Sequence, residues 1–365
     1  MVAFKGNGMR EIREGSFPRR LRWLILTGNE LETLPGDLGA CGRLEKCMLA
    51  GNRLRALPGS MASCRKLGLL RLSSNQFESL PAWLFEMPEL AFLSFAGNPC
   101  SDSANVQNPV LDEISWEDLE VQHLLGEGAS GVISKGLWNR PGGEKEVALK
   151  IFKGALTSDG SPLDEMNATI LAGQHANLIN PLGRIHAHPE NAQGLVMQLI
   201  PSSYTNLGLP PSMQSCTRDC FPEDVGFGLF TVLSILRGIA SAAAHLHSRN
   251  ILHGDLYAHN ILLDRASGHA LLGDFGAATT YASFDGEGGE GGEGWMKKVE
   301  KLEVLAFGHL VEDLLGLVEW RVDGVMEEKE MRVLEGLNGV HWRCVGGVVG
   351  ERPGFKEVVE VLEEI

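Results

Sequence analysis

His253-Gly254-Asp255-Leu256-Tyr257-Ala258-His259-Asn260 is followed, after a short apolar stretch, by Asp274-Phe275-Gly276. An Asp, an Asn five residues later and an Asp-Phe-Gly beyond them are too short a pattern to carry a reading alone, so the surrounding order matters. Upstream lies Leu125-Gly126-Glu127-Gly128-Ala129-Ser130-Gly131-Val132, a Gly-x-Gly-x-x-Gly-Val run between two strand-like stretches. Glycines there let backbone approach a phosphate that a Cβ would hold off. Val147-Ala148-Leu149-Lys150 follows as an alternating strand. Glu165 falls on the helix-like run from Leu163 to Ala172, with Asp164 beside it. Met197-Gln198-Leu199-Ile200-Pro201 ends an apolar run, and Arg352-Pro353-x-Phe355 closes the series.

In this order, over residues 116–365, these motifs resemble a eukaryotic-type protein kinase domain. The resemblance implies an α+β bilobal fold, with an N-lobe of about 116–198 and a C-lobe of about 199–365. It implies ATP and Mg²⁺ as cofactors. Gly126, Glu127, Gly128, Ala129, Ser130, Gly131 and Val132 would cover the phosphates. Ala148, Met197, Gln198 and Leu199 would border the adenine. Lys150 would pair the α- and β-phosphates and be held by Glu165, with Asp164 as the alternative partner. Asp255 would accept the proton of the acceptor hydroxyl, and Asn260 and Asp274 would hold Mg²⁺. His253 and His259 read as loop scaffolding.

The first third follows another rule. Asn29, Asn52, Asn75 and Asn98 recur every 23 residues, each in the frame Leu21-x-x-Leu24-x-Leu26-x-x-Asn29-x-Leu31. This resembles the leucine-rich repeat, an α/β repeat solenoid in which leucines point into the stack and Asn binds backbone where the strand ends. A weaker copy, Gly6-Asn7-Gly8-Met9, precedes them without a polar cap, so a short stack leaning on the rest of the chain is expected. The expected organisation is 1–100 repeats, 101–115 linker and 116–365 kinase-like. Inward strand positions, among them Arg22, Lys46, Arg71, Phe92 and Phe95, would form a concave face. That face would serve a protein substrate or partner, or pack against the kinase lobe itself.

A net charge of −15 argues against nucleic acid as a partner. Acidic runs such as Glu357–Glu364 read as solvated helix faces. No uninterrupted apolar run of about 18 residues suggests a membrane span, and Leu229–Ala244, broken by Arg237, reads as a buried helix. The start lacks an apolar signal core. Seven scattered cysteines without ligand spacing fit a reducing setting, cytoplasmic with the nucleus as an alternative. Cys216 and Cys220 fall in a polar insert, Ser202–Pro222, expected to be loose.

The chain departs from the kinase pattern in places. Gly254 stands where many kinases carry Arg, and Tyr257 where serine/threonine kinases carry Lys. Ala-Pro-Glu is missing. Glu303 takes the place of the usual acid of the following helix, and Glu300 is a candidate partner for Arg352. The tract Asp285–Gly294 is low in complexity and expected to be disordered. The function expected is ATP- and Mg²⁺-dependent transfer of the γ-phosphate to a protein hydroxyl, serine or threonine favoured. The alternative is an ATP-binding scaffold without efficient transfer.

Overall fold

The computed structural model describes residues 1–101, 111–154, 156–281, 292–320 and 326–365. Most of the expected linker, and the glycine-glutamate tract up to residue 291, lie outside the described residues; Gly292–Gly294 open a helix.

The 23-residue step becomes geometry in residues 1–101. Strands β1 (Val2–Ala3), β2 (Trp23–Ile25), β3 (Lys46–Met48), β4 (Leu69–Arg71) and β5 (Phe92–Ser94) form one parallel sheet in chain order. Leu24, Cys47, Leu70 and Leu93 stand side by side in register. Their side chains and those of Leu21, Leu26, Leu44, Leu49, Leu67 and Leu72 are buried inside the stack. Each such leucine contributes about 1.5–3 kcal/mol through burial. On the opposite side, prolines 35, 58 and 81 precede single 3₁₀ turns. An asparagine ladder closes each strand end. Asn75 Oδ1 accepts from Leu54 N, while its Nδ2 donates to Leu49 O and Leu72 O. Asn29, Asn52 and Asn98 repeat the arrangement at the other steps of the stack. Phe95, expected on the concave face, instead packs inside the stack.

The second region begins with six strands: β6 (Glu113–Ser115), β7 (Leu119–Glu127), β8 (Gly131–Arg140), β9 (Gly143–Phe152), β10 (Pro181–His186) and β11 (Gly194–Gln198). They form a sheet of order β6-β10-β11-β9-β8-β7. Helix α1 (Pro162–Ala172) starts where Ser161 accepts from Leu163 N and ends at Gly173, whose φ of 66° suits a residue without Cβ. Below the sheet, β12 (Tyr204–Asn206) precedes α2 (Leu229–His247). This helix is apolar and long enough to cross a membrane by composition. Its buried leucines, isoleucines and alanines form the centre of the largest core cluster, so packing accounts for its character.

The pair β13 (Ile251–Leu252) and β16 (Thr279–Thr280), with the hairpin β14 (Ile261–Asp264) and β15 (His269–Leu272), brackets the two motifs that opened the reading. Helices α3 (Gly292–Gly316), α4 (Glu328–Cys344) and α5 (Phe355–Glu364) complete the core. The insert expected to be loose is tied down. Asp219 accepts from Ala258 N, Arg218 pairs with Glu312 and Asp313, and Cys216 is buried.

The stack and the larger lobe share their cores. Leu69, Ala91 and Phe92 belong to the lobe's apolar cluster, whereas Leu252, Tyr281, Val299, Leu302 and Val349 belong to that of the stack.

Candidate active site

Period-two alternation along β9 turns Ala148 and Lys150 to the same face, opposite Met197 and Leu195 of β11. Lys150 Nζ forms an ion pair with Glu165, in the first turn of α1. A cavity of about 470 Å³ opens there, walled by Ala148, Lys150, Glu165, Met197, Gln198, Leu199, Asp274 and Phe275, among others. Leu125 and Ile133 line it on either side of the glycine run. Residues 126–132 themselves form the β7–β8 turn outside that wall, with Gly128 N donating to Gly131 O at 2.9 Å. A Cβ at Gly126 or Gly128 would meet nothing within 4 Å. The turn is therefore held by backbone and by Lys153, which bonds Glu127 and Gly128 O.

The second half of the site is built largely from buried polar groups that bond one another. His253 bonds Gly273 O through Nε2 at 2.9 Å, and its Nδ1 accepts from Asp255 N. Glu303 on α3, fully enclosed, accepts from His253 N and from Gly254 N, the latter at 2.6 Å, and bonds His247 at 2.8 Å. Burial raises the Glu303 carboxyl, but these bonds prevail and leave it below its ordinary value. Gly254 has φ 74°, and a Cβ there would lie 2.5 Å from Leu93 O and 2.8 Å from Ala277 O. Arg cannot stand at that position while the stack is docked.

Asp255 is held from two sides. Asn260 Nδ2 donates to Asp255 Oδ2 at 2.8 Å and to its carbonyl at 2.9 Å. Arg71 of β4 ion-pairs with Oδ1 and donates to Gly254 O at 2.8 Å. Its Nε bonds Asp159, in the segment between β9 and α1, at 2.8 Å. Burial, the largest influence, pushes the Asp255 carboxyl up; Arg71 pulls it down, and Asp159 and Asp274 push it up again. His259 binds Asp219 and is held above its usual value: burial opposes this, but the Asp219 bond wins. That bond gives His259 a structural partner in the insert.

Hairpin pairing places the ends of the two motifs together, with Gly273 N donating to Asn260 O at 3.0 Å. Asp274 adopts φ 55°, and its Oδ1 accepts from Gly276 N. Asp274 Oδ2 and Asn260 Oδ1 have no hydrogen bond among the described residues. Asp274 lines the cavity and Asn260 adjoins its wall at Gly273; two such oxygens suit Mg²⁺, which takes oxygen ligands and shares its sphere with phosphates and water. Asn260 and Asp274 would hold the ion, which would neutralise phosphate charge.

The expected Glu300–Arg352 pair does not form. Glu300 accepts from Phe355 N, and Arg352 donates to the carbonyls of Gly346, Lys301 and Pro88. Pro88 lies in the stack, so the guanidinium bridges the two regions. Arg71, Asp159 and Asp219 were not singled out as site residues. Arg71 lies in the inward register of the repeat, but nothing in its spacing points to Asp255.

Against known proteins, the family model for protein tyrosine and serine/threonine kinases matches residues 119–308. The match covers more than half of the chain, which therefore belongs to that family. The serine/threonine-protein kinase PITSLRE of Drosophila melanogaster is 28% identical over 191 residues, covering 51% of this chain and 19% of that protein. A probable serine/threonine-protein kinase of Dictyostelium discoideum is 29% identical over 186 residues, 48% of this chain and 10% of its own length. Another from the same organism, gdt4, is 24% identical over 175 residues, 48% of this chain and 9% of its length. The chain thus spans less than a fifth of each of these relatives.

Proposed function

We propose that this chain is a serine/threonine protein kinase using ATP and Mg²⁺, with an N-terminal leucine-rich repeat stack packed on its catalytic lobe. One observation carries the reading: the Lys150–Glu165 pair and Asp274 line one cleft, and Asn260, bonded to Gly273 of its wall, holds Asp255 beside it. Phosphoryl transfer asks for positioning and charge neutralisation, and these side chains can supply both. Lys150 would bind phosphate oxygens, Asp255 would receive the acceptor's proton, and the apolar wall of Ala148, Met197 and Leu199 would take the base. The repeat reading rests on the 23-residue parallel register and the asparagine ladder. Much of the inward face is spent on the lobe, so a protein docked by the repeats would meet surface outside that contact.

The test is transfer of γ-phosphate from Mg²⁺-ATP to a generic protein acceptor by the full chain and by Asp274→Asn. Transfer that disappears in the variant supports the reading. Nucleotide binding without transfer would favour the scaffold alternative, which the closely covered catalytic loop also suits.

A further inference from the structure

We propose that Arg71, supplied by the N-terminal stack, is a positioning residue of the active site, orienting Asp255 toward the acceptor hydroxyl, so that the catalytic centre is complete only with the stack docked. The inference rests on the kinase reading above and concerns its least expected contact, a cation from outside the catalytic lobe lying on the residue assigned as base.

The geometry argues for orientation rather than obstruction. The Arg71 side chain is 2% exposed, whereas that of Asp255 keeps 19%. The guanidinium therefore approaches the carboxylate from its inner side and leaves an outer face open. Arg71 fixes Oδ1, Asn260 fixes Oδ2, and a bond to Gly254 O locks the guanidinium to the backbone next to Asp255. Among the described residues no other Lys or Arg forms an ion pair with Asp255; position 257, two residues on, is Tyr. Burying a guanidinium is costly unless its donors are met, and an interface alone could be closed by apolar contacts such as Phe92 on Tyr257. The mounting is also rigid. Ser73 Oγ donates to Ser94 Oγ at 3.0 Å, and Ser94 Oγ to Asp159 O at 3.2 Å, so β4, β5 and the segment bearing Asp159 form one brace.

The experiment uses the full chain and compares wild type with Arg71→Ala and Arg71→Lys. It measures kcat and KM for Mg²⁺-ATP and a protein acceptor, and nucleotide Kd. Misplacing a reacting group by an ångström costs about 100-fold. Arg71→Ala is therefore expected to lose about that factor in kcat, with nucleotide Kd changed less than about twofold. Guanidinium ion at millimolar concentration should restore about tenfold by entering the vacated space, a rescue that a purely structural arginine would not give. Should Arg71→Ala fail to fold, Arg71→Lys decides. It keeps the charge but not the planar fork, and an unchanged kcat there overturns the proposal. A rise in kcat for either variant also overturns it and makes the stack a brake. If the wild type transfers no phosphate, the kinase reading fails. The positioning role, which needs a transfer to serve, then falls with it, whereas an active wild type beside an unchanged Arg71→Lys overturns the positioning role alone.

Discussion

The ring of Phe92 lies flat on that of Tyr257, their centroids 3.8 Å apart and their planes 10° from parallel. One residue belongs to the stack and the other to the catalytic loop, and both are buried. The Tyr257 hydroxyl is buried with no hydrogen-bond partner among the described residues. An unmet buried hydroxyl costs about 1–3 kcal/mol, so Tyr257→Phe is expected to unfold no more easily than wild type. Phe92→Ala should lose about 3–5 kcal/mol. Denaturant unfolding of both variants checks the pair, and a large loss in Tyr257→Phe would count against the unpaired hydroxyl.

Under the proposed function, Lys150 and Glu165 would act at different removes from the nucleotide. Lys150→Met takes away the charge meant for phosphate and should lower transfer by at least about 100-fold. Glu165→Gln leaves the charge but frees the ammonium to wander, so a smaller loss, about tenfold, is expected. Steady-state rates at saturating Mg²⁺-ATP separate the two. Equal losses would mean that Glu165 does more than hold Lys150.

The asparagine ladder is a stability device with a gradient along it. Asn75 binds Leu54 N, Leu49 O and Leu72 O inside the stack, whereas the outer Asn29 reaches the partly exposed Asn7 and Met9 backbone. Asn75→Ala strands several buried groups and should lose about 3 kcal/mol or more. Asn29→Ala should lose less, because water reaches some of its partners. Unfolding midpoints of the two variants give the order directly.

His309 on α3 sets an acid limit. Burial first, then the charges of Arg218, Arg352 and His341, depress its pKa from 6.5 to about 3. Below pH 6.5 the unfolded chain therefore takes up a proton that the folded chain refuses. Stability from this group is complete above pH 6.5 and is lost as pH falls toward 3, with a slope of about 1.4 kcal/mol per pH unit. His309→Gln should remove that slope, and unfolding free energies at pH 7, 6 and 5 test it.

Much of this architecture could be read from the chain because its signals are local or strictly periodic. Lys150, Asp255, Asn260 and Asp274 sit at motif ends whose strands pair as their alternation implies. The 23-residue leucine frame gave the strands of the stack, one per copy. What escaped was the placement of one region on the other. Arg71 and Phe92 look like ordinary inward positions of a repeat and Pro88 like part of a connecting loop, and only docking brings them to Asp255, Tyr257 and Arg352. The Glu300–Arg352 expectation failed for the same reason. It was drawn from within the lobe, whereas backbone groups take both side chains: Glu300 accepts from Phe355 N, and one of the three carbonyls that Arg352 binds, that of Pro88, belongs to the stack. Phe95 was misjudged because it stands in the register of Leu26, Leu49 and Leu72, whose side chains point into the stack.

The shared cores have a consequence for synthesis. The stack's own residues are complete by 101, yet Val299, Leu302, Val349 and Arg352, which seal it, come some 200–250 residues later. At about 5–20 residues per second, an apolar face waits roughly 10–50 s on the ribosome for its cover. The newborn chain therefore has a long interval in which that face can bind a holdase or a neighbouring nascent chain. A truncated product ending before α3 would carry the same face permanently bare.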